Sequence, residues 1–161
     1  MPMNRAKFHF DNTYASMDML SGPYLLYQIG DLSCEPGYQT FEHEQAVYEV
    51  TCVLSGSGTF YVDAQAYSME KGDLLITRKG EMHNIISSES DPLRYFYLGF
   101  DFAQPVQSEH VFQLKRFFDQ TGEVKVSNGR GVQDAFMKIL SEFISDDILS
   151  NLLIEAYMHE I

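Results

Sequence analysis

The pattern of the chain changes once, near Pro105, from short apolar segments separated by turn residues to longer segments with helical spacing. Before Pro105, turn signals such as Gly30-Asp31 and Gly72-Asp73 recur about every 8–12 residues, which is typical of the short strands of an antiparallel sandwich or barrel. After Pro105, apolar residues recur at the spacing of amphipathic helices. The sequence therefore predicts a mainly β fold followed by about three α-helices.

The strands predicted before Pro105 include one with a particularly clear pattern. They cover residues 24–29, 49–54, 59–62, 66–69, 74–77, 84–86 and 93–102. In the last of them, one face holds Phe96, Leu98, Phe100 and Phe102, and the other holds Tyr95, Tyr97, Gly99 and Asp101. The first face suits a hydrophobic core, and the second suits a cavity wall or a wet surface. The Gly/Ser segment at residues 55–58 predicts a hairpin between the strands on either side of it.

Three helices are predicted after Pro105. The first is capped by Ser108 and ends at Gly122, the second covers residues 129–145, and the third begins at residues 145–147. Their apolar stripes include Phe112, Leu114 and Phe118 in the first helix and Leu149, Leu152, Leu153 and Ala156 in the third. Each stripe either packs on the strands or contacts a partner subunit, because an apolar face left uncovered by its own domain marks an interface.

Composition and charge exclude several classes of protein. The 161 residues suit one domain, and a hydrophobic fraction of 45% is enough for a core. The formal net charge of -12 argues against nucleic-acid binding by these residues, because phosphate contacts need clustered lysines and arginines. No apolar run reaches the roughly 18 residues of a membrane helix, and the N-terminus lacks the apolar stretch of a secretory signal. Cys34 and Cys52 form no CxxC pair, which favours a reducing, cytoplasmic setting.

Two sets of residues at defined spacing are the main functional signal. The first set is Gly37, His43, Gln45, Glu49 and Gly56, and the second is Gly72, Arg78, Gly80, His83 and Ser87. His43, Gln45 and Glu49 are all odd-numbered, so on one strand their side chains point to the same face. In a small barrel that face points inward, and we expect His83 to come from a facing strand. Four convergent polar groups inside an apolar barrel suit a polar ligand or a metal ion.

The candidate ligand-binding residues are His43, Gln45, Glu49, Tyr61, His83, Tyr95 and Tyr97. Of these, His43, Glu49 and His83 are also candidate metal ligands, since histidine and carboxylate groups suit Zn, Ni, Fe or Mn. No cofactor is firmly predicted, because the same residues suit a metal-free pocket that holds ligand hydroxyls or water. The tyrosines either contact a sugar face or are ordinary sheet residues. Arg78 either clamps an anionic ligand or lies in a solvated loop.

Both sets resemble the paired motifs of the cupin superfamily. The chain departs from those motifs at three positions, where Gln45 replaces a histidine, Arg78 a proline and Ser87 an asparagine. Within the cupins, residues 20–161 resemble the effector-binding domain of AraC-type transcription regulators. The segments that carry this resemblance are residues 48–54, 56–59, 71–76, His83 and 91–101, and residues 109–160 resemble the dimerisation helices of that family.

The resemblance implies a cupin-type antiparallel double-stranded β-helix, or jelly-roll barrel, at residues 21–104. It implies a helical dimerisation segment at residues 105–161 and a small polar, sugar-like effector inside the barrel. Residues 1–20, with Phe8, Phe10, Tyr14 and Met17, are expected to act as an N-terminal arm over the mouth of the barrel. DNA would be bound only by a helix-turn-helix domain that is absent from this chain. The expected partners are therefore the effector and a second copy, with no catalytic residue and no membrane contact.

Two alternatives stay open from the sequence. A free-standing, metal-dependent cupin enzyme, acting as a dioxygenase, isomerase or hydrolase, would use His43, Glu49 and His83 around iron, manganese or zinc. Gln45 counts against this enzyme, and so does the lack of an acid/base pair beyond the ligands. A pure dimerisation or scaffold domain would need no pocket chemistry at all.

Overall fold

The computed structural model describes residues 6–13, 20–106, 108–120, 124–129, 131–145 and 147–161. The strands in these residues are β1 (Ala6–Thr13), β2 (Leu20–Ser21), β3 (Tyr24–Cys34), β4 (His43–Glu44), β5 (Tyr48–Ser55), β6 (Ser57–Val62), β7 (Gln65–Glu70), β8 (Leu74–Thr77), β9 (Met82–Ser87), β10 (Arg94–Phe102) and β11 (Lys125–Val126). The helices are α1 (Glu109–Gln120), α2 (Val132–Ser145) and α3 (Ser150–Met158). The prediction of a mainly β fold with C-terminal helices is confirmed.

The strands form two antiparallel sheets that enclose an apolar interior. The first sheet has the order β1-β3-β10-β5-β8-β11, with β2 paired to β3, and the second has the order β4-β9-β6-β7. Buried side chains from both sheets meet in one cluster, which includes Leu32, Val53 and Tyr95 of the first sheet and Phe60 and Ile85 of the second. The space between the sheets is therefore the inside of the barrel.

The helices cover the outer face of the first sheet. Phe96 of β10 stacks on Phe136 of α2, with ring centroids 5.9 Å apart and an angle of 13° between the planes. Phe100 of the same strand contacts Phe118 of α1 edge to face, with centroids 5.3 Å apart. The two faces predicted for β10 are confirmed, since its phenylalanines meet the helices and Tyr95 and Tyr97 lie in the barrel interior.

The predicted hairpin at residues 55–58 is wrong. β5 pairs with β8 and β10 in the first sheet, whereas β6 pairs with β7 and β9 in the second. The short connection therefore crosses between the sheets instead of joining paired strands. Gly56 makes the crossing possible: its φ is +77°, and a Cβ there would lie 2.0 Å from the backbone oxygen of Pro92. Only glycine fits such a close backbone approach.

A bulge in β3 changes the direction of its side chains. Against β10, Gln28 is the partner of Gly99 and Leu26 is the partner of Phe100, so Tyr27 is an extra residue in the ladder. Leu26 consequently packs in the cluster beneath the helices, while Gln28, two residues later, reaches Glu49. An undisturbed strand would place both side chains on the same face.

The helices and the N-terminal region differ from the predictions in detail. α2 and α3 begin later than predicted, and the sequence did not indicate β11. In α3 the buried residues are Ser150, Ile154 and Met158, which leaves the predicted stripe largely exposed. Of the expected arm, residues 6–13 form β1 beside β3, and Tyr14 and Met17 lie outside the described residues, as does Gly122. None of the described helices has the length and apolar character needed to cross a membrane.

Candidate ligand-binding site in the barrel

A row of polar residues crosses the inner face of the first sheet. Strand register places Gln28 opposite Gly99, Gly99 opposite Glu49, and Glu49 opposite Thr77. Side chains in one such row lie on the same face, close enough to interact. Gly99 leaves room between its neighbours, because a Cβ there would lie 2.8 Å from Cγ of Gln28. We call Gln28, Gly99, Glu49 and Thr77 the polar row.

Glu49 lies at the centre of the polar row and is only 5% exposed. Gln28 Nε2 donates to Glu49 Oε2 over 2.9 Å, and Thr51 Oγ1 donates to Glu49 Oε1 over 3.2 Å. Gln45 Nε2 makes a longer bond of 3.4 Å to Oε2. Burial raises the pKa of Glu49, an effect opposed by these donors and by the nearby charge of His43. The carboxyl group is therefore desolvated and held only by neutral donors.

Thr77 ends the polar row with an unsatisfied hydroxyl group. The residue is 0% exposed, and among the described side chains its Oγ1 is the one fully buried N or O atom without a hydrogen-bond partner. A buried polar atom of this kind costs free energy and needs an explanation, such as a missing water or ligand. Thr77 lies opposite Glu49, so the unsatisfied hydroxyl and the desolvated carboxyl are neighbours.

His43 and His83 form a second polar group at the edge of the other sheet. They are partners in the β4–β9 ladder, and their Nε2 atoms lie 2.8 Å apart. His43 Nδ1 lies 3.0 Å from the carbonyl oxygen of Phe41. If both rings are neutral, His43 donates to this carbonyl, and the proton between the rings belongs to His83. Burial, together with the charge of His43, lowers the pKa of His83 to about 4.

The prediction that His43, Gln45 and Glu49 project from one strand is wrong. His43 lies in β4 of the second sheet and is exposed, whereas Glu49 lies in β5 of the first sheet and is buried. Between them the backbone bends at Ala46 and Val47. The bend follows Gln45, whose N–H donates to the Glu81 carbonyl over 2.9 Å and whose carbonyl accepts from Gly80 over 2.8 Å. Gln45 is nevertheless buried and reaches Glu49.

The structure separates the three predicted tyrosines. Tyr95 and Tyr97 lie on the inner face with ring centroids 6.0 Å apart, and burial raises the pKa of Tyr95 well above its usual range. The ring of Tyr97 covers Gly30, where a Cβ would lie 2.1 Å from Cζ of the ring. The prediction of Tyr61 as a ligand-binding residue of the barrel is wrong. Its neighbours Phe60 and Val62 point into the barrel. Because side chains alternate along β6, Tyr61 points to the outer face.

The residues do not assemble the predicted metal centre. Among the described residues, no group of three or more His, Cys, Asp or Glu side chains is placed to hold a metal ion. His43 and His83 are close together, but Glu49 is bound by Gln28, Gln45 and Thr51 instead of completing a ligand set with them. The described side chains therefore do not fit a centre built from His43, Glu49 and His83.

Two further features lie close to the barrel. Arg78 Nε donates to Glu81 Oε1 over 2.6 Å, and the two side chains form an ion pair, so Arg78 already binds a carboxylate of this chain. A cleft of about 620 Å³ lies between the barrel and the helices, away from the polar row. Its lining residues include Leu20, Pro105, His110, Glu155 and His159. The cleft contains none of the predicted site residues.

Gln28, Thr51 and Thr77 were not among the site residues predicted from the sequence. Gln28 interrupts the apolar run of β3, and Thr77 ends the apolar run Leu-Leu-Ile in β8, so each was visible as a polar residue in an apolar strand. That signal alone does not tell which face of the sheet a residue occupies. For Gln28, the bulge at Tyr27 decides the face.

Comparison with known proteins identifies one matching family. The model of the AraC-like ligand binding domain matches residues 26–161. No curated protein sequence matches the chain significantly. Together with the two-sheet architecture, the family match confirms the predicted cupin-type fold and the predicted resemblance.

Several solved structures are similar to this chain at low identity. A cupin protein from Bacteroides fragilis is 17% identical, with 67% of this chain and 88% of that chain covered and a TM-score of 0.48. A predicted oxalate decarboxylase from Thermotoga maritima is 17% identical, with coverages of 59% and 81% and a TM-score of 0.46. The polyketide cyclase RemF from Streptomyces resistomycificus is 14% identical, with coverages of 69% and 80% and a TM-score of 0.45.

Proposed function

The chain belongs to the family of AraC-like ligand binding domains, and we propose that it is the effector-sensing part of an AraC-type transcription regulator. A small polar, sugar-like metabolite binds inside the barrel, next to the polar row and Gln45, His83, Tyr95 and Tyr97. DNA is contacted by a separate helix-turn-helix domain, because the net charge of -12 makes these residues poor partners for phosphates. The unpaired buried cysteines Cys34 and Cys52 support a cytoplasmic setting.

The observation that carries this proposal is the incompletely hydrogen-bonded polar row inside the barrel. A barrel that served only as a scaffold would have apolar side chains at these positions, since burying polar groups costs free energy. Here Glu49 is held by neutral donors, two of them at 3.2 Å or more, and Thr77 Oγ1 has no partner. A polar ligand would supply the missing hydrogen bonds.

β5 offers a direct route from this site to the helices. Glu49 points into the barrel, whereas the adjacent Tyr48 points to α1, where its hydroxyl donates to Asp119 and accepts from Lys115 at 3.3 Å. Lys115 also forms an ion pair of 2.6 Å with Asp119. A ligand that shifts β5 would therefore change how α1 packs, provided that it binds the shifted state more tightly.

The proposed homodimer uses an apolar patch at the end of α2 and the start of α3. The patch consists of Ile144, Ile148, Leu149 and Leu152, which are all exposed. Ile148 is 96% exposed and Leu152 is 66% exposed, so the described part of the chain leaves this surface uncovered. Contiguous apolar surface of this kind marks an interface, and a second copy supplies a matching patch by two-fold symmetry.

Charged substitutions in this patch are expected to convert a dimer into a monomer. Ile148→Glu and Leu152→Glu would place carboxylates in the apolar interface, while the exposed positions leave the fold of each copy intact. Sedimentation equilibrium measures the change in mass. Phe41→Glu, at an exposed position in the loop before β4, is the matched control and should leave the dimer unchanged. A wild-type protein that is monomeric at high concentration would contradict the proposal.

Ligand binding at the polar row is tested by thermal stability in the presence of a metabolite panel. The panel contains neutral sugars, polyols, amino sugars and small amines. At least one compound is expected to raise the Tm of the wild type, because a ligand that binds only the folded state stabilises it by about 2.7 kcal/mol at 100 times its Kd. Glu49→Gln should abolish or greatly weaken the shift.

Glu44→Gln is the control for this experiment, because it removes an exposed carboxylate from β4, a strand of the second sheet. It should keep the full Tm shift. If no compound raises the Tm of the wild type, the barrel is a scaffold and the sensing proposal is wrong. Elemental analysis of the purified protein separates sensor from enzyme, since stoichiometric metal with turnover that His83→Ala abolishes would favour a metal-dependent enzyme.

A further inference from the structure

Glu49 has no positively charged partner in the part of the chain that the structure describes. Its three hydrogen-bond donors, Gln28, Gln45 and Thr51, are all neutral. The described lysines and arginines that form ion pairs do so with other carboxylates. These pairs are Arg78–Glu81, Lys79–Asp101, Arg94–Asp31, Lys115–Asp119, Lys125–Asp73 and Lys138–Glu160.

Neither histidine near the site forms an ion pair with this carboxyl group, although the charge of His43 opposes the rise in the pKa of Glu49. His83 is buried and favours its neutral form, since its pKa is lowered to about 4. His43 is exposed at the edge of the second sheet and makes no hydrogen bond to Glu49. A buried carboxylate without a charged partner is costly, so the group either takes up a proton, as its raised pKa favours, or gains a positive charge that is well placed beside it.

Thr77 adds an independent observation at the same place. It lies directly opposite Glu49 on the inner face, is completely buried, and has a hydroxyl oxygen with no partner. Thr51, in contrast, has its hydroxyl satisfied by Glu49. One carboxyl and one free hydroxyl oxygen side by side form a pair of acceptors for a group with more than one N–H bond.

We propose, on the basis of the sensing function proposed above, that the effector carries a positively charged nitrogen that binds between Glu49 and Thr77. The group is an ammonium or an amidinium: one N–H donates to the Glu49 carboxylate and another to Thr77 Oγ1. An anionic ligand would be repelled by the Glu49 carboxylate. A neutral polyol would satisfy Thr77 but leave the charge of Glu49 unbalanced. The net charge of -12 further favours a cationic ligand over an anionic one.

Matched pairs of ligands test the proposal on the full chain. Glucosamine is compared with glucose, and putrescine with 1,4-butanediol, so that each pair differs in amino against hydroxyl groups. Isothermal titration calorimetry gives the Kd, and thermal unfolding gives the Tm shift. In at least one pair, the amine is expected to bind at least about tenfold more tightly than its neutral partner. The reason is that hydrogen bonds to charged groups are stronger than those between neutral groups.

Variants at both acceptors separate a ligand contact from a structural role. Glu49→Gln should weaken amine binding about tenfold or more and leave the neutral compounds unaffected, while Glu44→Gln should change neither. Thr77→Val keeps the shape of the side chain and removes the hydroxyl group. It should weaken amine binding about tenfold, yet leave the Tm of the unliganded protein unchanged or higher, because the removed hydroxyl has no partner. Thr77→Ser should restore amine binding.

The outcomes distinguish this proposal from the function on which it rests. If only neutral or anionic compounds bind, and Glu49→Gln binds them as well as the wild type does, both the cationic nitrogen and the placement of the ligand beside Glu49 are overturned, while the sensing function stands. If no compound of any charge binds, both are overturned. A large loss of Tm in unliganded Thr77→Val would also count against the proposal, since it would show that the hydroxyl group supports the fold.

Discussion

Replacing Phe136 with alanine is expected to lower the free energy of unfolding by about 3–5 kcal/mol. Phe136 is among the largest fully buried side chains, and its ring stacks on Phe96 of β10 with centroids 5.9 Å apart. The substitution would leave a cavity where α2 meets the first sheet. Urea denaturation followed by circular dichroism measures the change, and the ligand-induced Tm shift reports whether the barrel still binds.

Met137→Ala is the matched control for Phe136→Ala. Met137 is the next residue of the same helix and is exposed, so its truncation should change the free energy of unfolding by no more than about 0.5 kcal/mol. A loss below about 1 kcal/mol in Phe136→Ala would show that the cavity collapses. The helices would then not depend on this contact for their position on the barrel.

Lowering the pH from 7 to 4 is expected to destabilise the protein through His83 by about 3 kcal/mol. The pKa of His83 is lowered from 6.5 to about 4 in the folded state. Between pH 6.5 and about pH 4, His83 of the unfolded chain binds a proton and His83 of the folded chain does not. Stability from this residue is therefore complete above pH 6.5 and is lost progressively as the pH falls towards 4.

Glu49 acts in the opposite direction, so the contribution of His83 is measured as a difference between variants. Burial raises the pKa of Glu49, so its protonated form favours the folded state and its contribution declines as the pH rises above the value of the unfolded chain. Urea denaturation of wild type and His83→Gln at pH 7 and pH 4 isolates the histidine. His110→Gln, at an exposed position, is the control. Equal pH dependence in wild type and His83→Gln would contradict the prediction.

The fold could be predicted well where the two faces of a strand carry different types of side chain. β10 alternates between phenylalanines that meet the helices and tyrosines that meet the barrel interior, and this alternation is visible in the sequence. β8 was predicted with its observed bounds, Leu74–Thr77, because turns delimit it on both sides. Which strands pair was less predictable, since the Gly/Ser segment at residues 55–58 looks the same whether it joins paired strands or crosses between sheets.

The candidate site was predictable in part, and the errors have physical causes. Motif spacing led to Gln45, Glu49 and His83, which are all buried. His43 was misplaced because the bend at Ala46 and Val47 separates β4 from β5, which odd and even numbering alone does not reveal. Tyr61 was misplaced because the inner face of β6 is set by its neighbours Phe60 and Val62. Thr77 was missed because a threonine at the end of an apolar strand is common in ordinary sheets.

Because of the bulge at Tyr27, the direction of the Gln28 side chain depends more on the number of residues in β3 than on their types. Gln28 reaches Glu49 only because one extra residue separates it from Leu26, which packs beneath the helices. Deleting Tyr27 would leave Leu26 and Gln28 adjacent on a regular strand, still facing opposite sides. If one more residue were inserted there and a single-residue bulge were kept, the strand beyond the bulge would slip by one position, which would bring Tyr27 opposite Gly99 and turn Gln28 towards the helices. Related chains that keep this amide in the barrel should therefore tolerate a shortening at this position and not a lengthening.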